Sequence, residues 1–156
     1  MAHRILFVCL GNICRSPSAE GVLRAMAEAR GIALEIDSAG TGDWHLGDPP
    51  YRPMQAAARA RGYDLAGLRA RQVSVADFHD FDLVLAMDSA NLDSLERLRP
   101  ADARARLRRF TDYAPQLGTD EVPDPYYTRD FDGTLDMVEA AAQGLLDDLD
   151  SANRPG

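Results

Sequence analysis

The chain has 156 residues, 46% hydrophobic and 27% charged, a globular composition long enough to bury a full core without disulfide or metal staples. Its 17 Lys and Arg against 25 Asp and Glu leave a formal net charge of −8, which argues against the basic surface that nucleic acid or an anionic membrane requires. No apolar run approaches the ~18–20 residues of a membrane span.

The first residues, Met1-Ala2-His3-Arg4, lead into a strand-like run without a secretory cleavage pattern. Cys9 and Cys14 are the only cysteines and form no disulfide framework, so the expectation is a cytoplasmic protein. Ile5-Leu6-Phe7-Val8 is a short apolar run of the kind buried on both faces of a parallel sheet. Ser16 as N-cap and Pro17 as first helical residue predict a helix. It carries Ala19, Val22, Leu23, Met26 and Ala27 on one face and ends at Gly31. A second strand follows around Leu34-Glu35-Ile36-Asp37-Ser38. Gly40 to Pro53 reads as a long loop, and Pro53 starts a second helix that runs to Gly62.

Phe81 to Met87 repeats the buried-strand pattern through Leu83-Val84-Leu85. Leu92, Leu95 and Leu98 share a helical face that Pro100 ends, and Arg106 to Phe110 predicts a fourth strand. Thr111 to Arg129 reads as a second long loop. The clearest helix is the last, where Phe131, Leu135, Val138, Ala142, Leu145 and Leu149 alternate steps of four and three. Strands alternating with helices predict right-handed βαβ units. The expected fold is a small doubly wound, flavodoxin-like α/β sheet of about four parallel strands with helices on both faces. It is expected to be one domain over residues 1–156, and a monomer.

The chemistry concentrates between the first strand and the first helix, in Cys9-Leu10-Gly11-Asn12-Ile13-Cys14-Arg15-Ser16. Ligands bind at the carboxyl ends of strands in such folds, and the free N–H groups of a helix start cradle an oxyanion. The same field favours a thiolate, and thiols at helix N-termini can ionise at roughly 3.5–7.5. Arg15 adds a permanent charge whose planar fork matches two phosphate oxygens. One loop therefore offers a nucleophile, a cradle and a clamp. A buried structural cysteine beside an ordinary arginine is the competing account, and the placement of Cys, Arg, Ser and Pro at one strand-to-helix junction tells against it. A metal site lacks two further ligands, and the spacing of the cysteines does not fit a thioredoxin-like pair.

Val8-Cys9-Leu10-Gly11-Asn12-Ile13-Cys14-Arg15-Ser16-Pro17 resembles the signature of the low-molecular-weight protein tyrosine phosphatases. The likeness continues in order through Ser38-Ala39-Gly40-Thr41, Trp44, Arg71-Gln72, Met87-Asp88 and Asp124-Pro125-Tyr126-Tyr127. The resemblance implies Cys9 as nucleophile, Arg15 as phosphate ligand and Asp124 as general acid and then base, with no cofactor. Leu10, Gly11, Asn12, Ile13, Cys14 and Ser16 would complete the phosphate-binding loop, with Asn12, Ser16 and Ser38 holding it by hydrogen bonds. The resemblance also supports a redox role in which Cys14 traps an oxidised Cys9. Two positions depart from the family pattern: Leu68 stands where a supporting His is common, and Tyr51 follows Pro50 where Asp is usual.

Trp44, Tyr126 and Tyr127 lie in the two long loops, where three aromatics are better explained as walls around a flat ring than as lids on the core. His45 is expected at the surface, with contact to substrate as the alternative. Arg104, Arg106, Arg108 and Arg109 are expected along a solvated strand edge, with a docking patch for acidic phosphoproteins as the alternative. The implied activity is hydrolysis of phosphotyrosine in proteins, and an autophosphorylated bacterial tyrosine kinase is one substrate the resemblance allows. A protein-arginine phosphatase is the alternative enzyme, disfavoured by apolar Ile13 where that branch tends to carry Thr. An arsenate reductase would need a thiol outside the loop. A silent phosphotyrosine-binding regulator would be expected to lack one of Cys9, Arg15 and Asp124.

Overall fold

Continuous apolar runs with no polar alternation bury both sides of a strand, and the centre of this molecule is built that way. The structure, a computed structural model, describes residues 3–152. The Met1-Ala2 start therefore lies outside the described residues, as do the last four of the expected 1–156 domain. Four strands, β1 (His3–Cys9), β2 (Leu34–Gly40), β3 (Leu83–Ala86) and β4 (Arg106–Arg109), form one parallel sheet in the order β2-β1-β3-β4. Helices α1 (Arg15–Arg30), α2 (Arg52–Ala60), α3 (Asp77–Asp80), α4 (Ser89–Leu98), α5 (Pro125–Thr128) and α6 (Phe131–Ala152) lie between and after them. The doubly wound α/β architecture expected from the sequence is the one observed.

Alternate residues of β1 feed the two cores. Ile5, Phe7 and Cys9 join Val22 and Leu23 of α1 and Leu135, Val138, Ala142 and Leu145 of α6 on one face. Leu6 and Val8 join Phe78 and Leu95 on the other. Phe7 meets Phe110 edge to face, with ring centroids 4.8 Å apart. The chain leaves β1 toward β2 on one side and later returns to β3 on the other. The carboxyl end of β1 is thus a topological switch point, where α/β sheets open a crevice.

Two expectations need correction, and one element was not expected. The first helix starts at Arg15, not after Ser16, and its N-cap position is Cys14 with no side-chain cap. The Ser16 hydroxyl is already engaged with Cys9 and Asn12, so tertiary bonds displace the local capping rule. Pro17 is still accommodated, because N–H groups of the first turn have no intrahelical acceptor. The span from Thr111 to Arg129 is not a plain loop: it contains 3₁₀ turns at Phe110–Tyr113 and Pro115–Leu117 and the short α5. The short α3 also went unread in the sequence.

β4 is an edge strand; Arg106 and Arg108 are exposed on it and Arg104 just before it, paired to Asp82 at 2.5 Å, whereas Arg109, also expected on the solvated edge, is half-buried. Charge on an open edge hinders strand addition from another chain. No helix among the described residues is long and apolar enough to cross a membrane.

Gly144 of α6 lies against the main chain of Tyr113, and a Cβ there would fall on the Tyr113 carbonyl. Gly144→Ala is expected to destabilise the fold by about 1–3 kcal/mol despite alanine's better helix propensity of ~1 kcal/mol. Denaturant unfolding checks this; an unchanged or raised midpoint would show that the helix and the turn are not in close contact.

Candidate active site

Residues 9–15 leave β1 at the switch point and curl back before α1 begins. The curl depends on Asn12, which has a φ of 57°. Asn visits this left-handed region more readily than other side-chain-bearing residues, but it needs fixing there. Its carboxamide supplies that. Nδ2 donates to Ser16 Oγ at 2.8 Å and to Ser38 Oγ at 3.0 Å, while Oδ1 accepts the Arg71 N–H at 3.0 Å. β2 can approach the loop closely because Gly40 ends it: a Cβ there would lie 2.7 Å from the Leu10 carbonyl oxygen.

The result is a sulfur set among donors. Cys9 Sγ receives the Asn12 N–H at 3.3 Å and lies 3.0 Å from Ser16 Oγ. Ser38 Oγ in turn donates to Glu20 Oε1 at 2.7 Å, and Arg24 donates to Glu20 Oε2 at 2.8 Å. A continuous relay thus joins the surface at Arg24 to the cysteine, all of it buried inward of Arg24.

Arg15 is 2% exposed, yet it is charged, so its partners matter. Nη1 donates to Asp88 Oδ2 at 2.6 Å and to the Val122 carbonyl at 3.0 Å, and Nη2 lies 3.5 Å from Asp124 Oδ2. Among the described residues its Nε has no hydrogen-bond partner. Burial opposes the charged guanidinium, but Cys9, Asp88 and Asp124 outweigh it and hold the pKa above the ordinary value. A buried cation with an unused N–H beside a cradle of helix-start donors fits a tetrahedral oxyanion.

Asp124 divides its two oxygens. Oδ1 accepts the Tyr126 N–H at 3.1 Å and caps α5, while Oδ2 faces Arg15. The segment reaches this place because the Val122 N–H donates to Met87 O at 2.8 Å, continuing the β3 end sideways.

A cleft of about 260 Å³ brings the pieces together, lined by Cys9, Arg15 and Asp124 below and by Trp44, Tyr126 and Tyr127 around the mouth. These aromatics are 69%, 42% and 73% exposed, which suits rings waiting for a flat partner. Leu10, Gly11, Ile13 and Cys14 also line it, whereas Asn12, Ser16 and Ser38 act from behind. His45 is both partly exposed and a liner of the cleft against Gly11; its Nδ1 lies 3.3 Å from Asp48 Oδ2. Cys14 is buried, and burial, then Cys9 and Asp124, push its thiol far above the ordinary value, so it stays neutral.

Sequence reasoning did not single out Glu20, Arg24 or the partners of Arg71. It quoted Asp88 only inside the family pattern. Leu68 packs against the larger core, and the segment around it steadies the loop through main chain instead: Arg71 N–H reaches Asn12, and Arg71 O accepts the Gly40 N–H at 2.8 Å. The Arg71 guanidinium is itself fixed between Asp37 and Asp77, both at 3.0 Å.

Such a loop, with a cysteine at its base and an arginine closing it, belongs to a class of proteins that grip phosphate esters. A family model described as low molecular weight phosphotyrosine protein phosphatase matches residues 4–154. A Streptomyces coelicolor protein named low molecular weight protein-tyrosine-phosphatase is 47% identical over 153 residues, covering 94% of this chain and 93% of its own. The crystal structure of YfkJ from Bacillus subtilis superposes with a TM-score of 0.93 at 38% identity, covering 99% and 98% of the two chains. A protein tyrosine phosphatase structure from Entamoeba histolytica, with Hepes in its active site, gives 0.92 at 34% identity, covering 98% and 100%. The chain belongs to the low molecular weight phosphotyrosine protein phosphatase family.

Proposed function

We propose that this chain is a single protein-tyrosine-phosphatase domain that hydrolyses phosphotyrosine through a cysteinyl phosphate, with no cofactor. The observation that carries the reading is the meeting in one cleft of Cys9 Sγ, the Arg15 guanidinium and Asp124 Oδ2. The Cys9 thiolate attacks phosphorus; the S–P bond forms as the P–O bond breaks, and Asp124 gives its proton to the departing phenolic oxygen. Water then attacks the phosphorus and passes a proton to the Asp124 carboxylate, releasing phosphate and the thiolate. Arg15 and the loop N–H groups stabilise the equatorial oxygens throughout.

Ile13 and the exposed Trp44, Tyr126 and Tyr127 provide apolar walls for an aryl ring, which favours phosphotyrosine over phosphoarginine. Phosphotyrosine-bearing proteins of the cytoplasm are the proposed substrates, an autophosphorylated bacterial tyrosine kinase among them, and the enzyme is proposed to act as a monomer. With Cys9, Arg15 and Asp124 all in place, a silent binding module is the weaker reading.

The pure protein is expected to turn over p-nitrophenyl phosphate, and Cys9→Ser to abolish it. Asp124→Asn is expected to slow phosphotyrosine cleavage by roughly 10²–10⁴-fold, and less for phenols of low pKa that leave unprotonated. Steady-state rates across substituted phenyl phosphates check this, and equal losses along the series would remove Asp124 from the acid role.

Cys14 is proposed to guard Cys9. Peroxide converts the Cys9 thiol to a sulfenic acid with release of water; the Cys14 thiol then displaces a second water and closes a disulfide. Peroxide inactivation should be reversed by dithiothreitol in the wild type and largely irreversible in Cys14→Ser. Equal recovery of both proteins would end the protective role.

A further inference from the structure

Beside the catalytic cleft lies a second cavity of about 470 Å³ that the proposed chemistry leaves unused. Ile13, His45 and Tyr126 line both spaces and form the partition between them. The outer wall is Pro49, Pro50, Tyr51 and Pro53, an apolar surface whose prolines fix their own backbone angles. Asp48 and Arg52 add one charge of each sign, so the cavity has no net preference for a charged group.

Tyr51, one of the two departures from the family pattern, is held on three sides. Its N–H donates to the Ile13 carbonyl at 2.8 Å, tying this wall to the phosphate loop. Its ring packs on Tyr126 with centroids 5.2 Å apart. Its hydroxyl accepts from Arg129 Nη1 at 3.0 Å, and the same guanidinium lies over its ring. A wall fixed this way loses little freedom when a ligand enters, which is the condition for selective binding.

The geometry points to a specificity subsite: this cavity takes an apolar side chain of the substrate itself, flanking the phosphotyrosine whose ring fills the catalytic cleft. The inference rests on the phosphatase reading above. Continuity selects the occupant, because the two spaces share three walls and an extended chain advances only ~3.3–3.6 Å per residue. A residue within two positions of the phosphotyrosine therefore comes to the second cavity. Most of its lining is apolar, so Leu, Met or Phe is accepted, whereas for Asp the attraction of Arg52 is offset by Asp48 and the loss of water is left uncompensated.

The test uses phosphotyrosine peptides that carry Leu or Asp in turn at each of the two positions before and after the phosphotyrosine. The readout is the ratio of kcat/KM for the Leu and Asp peptides within one enzyme, so overall activity cancels. At one position the wild type is expected to prefer Leu by about tenfold or more, within the ~10–200-fold range that apolar pockets achieve. Tyr51→Ala should bring that ratio close to one. Pro49→Asp, at an exposed position, should do the same by placing a charge in the cavity, and it guards against a folding defect in the first variant. A wild-type ratio near one at all four positions overturns the subsite, including the case where the protein sediments as a dimer with the cavity serving a second copy. A ratio unchanged in both variants also overturns it. Absence of turnover with every phosphotyrosine peptide overturns the phosphatase reading beneath it, so the two failures are distinguishable.

Discussion

Everything at this site hangs on the side chain of Asn12. A left-handed residue in a tight loop is strained unless its surroundings fix it, and here three separate segments do so. The carboxamide binds Ser16 from α1, Ser38 from β2 and the main chain of Arg71. Each neutral hydrogen bond contributes only about 1 kcal/mol net, but a buried group left without its partner costs about 1–3 kcal/mol. Removing the carboxamide therefore strands several buried groups at once. It also releases the backbone N–H that faces Cys9 Sγ. The loop is thus tied in place by three segments of the chain.

The second constraint is charge. A guanidinium that is 2% exposed would be costly alone, yet Asp88 faces its Nη1 and Asp124 its Nη2. The three residues come from α1, the β3–α4 turn and the loop before α5, so one cation draws distant parts of the chain to the switch point. Asp88 also accepts the Asn91 N–H at 2.7 Å as N-cap of α4, which keeps its other oxygen directed at Arg15. Pro125 stiffens the exit from Asp124, and the Tyr126 N–H bond fixes the carboxyl's orientation. Asp88 is the closer of the arginine's two carboxylate partners, at 2.6 Å against 3.5 Å for Asp124. At the mouth, Trp44 and Tyr127 are largely exposed, while the Tyr126 ring packs against both Tyr51 and Tyr127.

The parts of this design that are local could be read in the sequence. Cys9, Arg15, Ser16 and Pro17 lie within one strand-to-helix junction, and apolar runs with helical periods between them located the sheet and its covering helices. Asp124 and the aromatic walls became legible only through partnership with that junction, since a loop aspartate by itself is more often a cap; in the structure Asp124 is a cap as well. Glu20 was illegible, because its role depends on Ser38, 18 residues away. So was the support from Arg71, which acts through its backbone on a residue 59 positions distant and is invisible to side-chain chemistry. Ser16 shows the opposite error, in which a sound local rule for helix capping yields to a buried network that needs the same hydroxyl.

The Asn12 carboxamide, rather than the backbone angle alone, holds the loop in its curled form. Calorimetric titration with tungstate, comparing the wild type with Asn12→Gly and Asn12→Ala, tests it most directly. Glycine keeps the left-handed angle accessible and removes only the three side-chain bonds. Both variants are predicted to bind tungstate at least about tenfold more weakly, matching the loss of roughly 1–3 kcal/mol per stranded group. Wild-type affinity in Asn12→Gly would contradict the account, because it would show that the angle suffices and the hydrogen-bonded scaffold is dispensable.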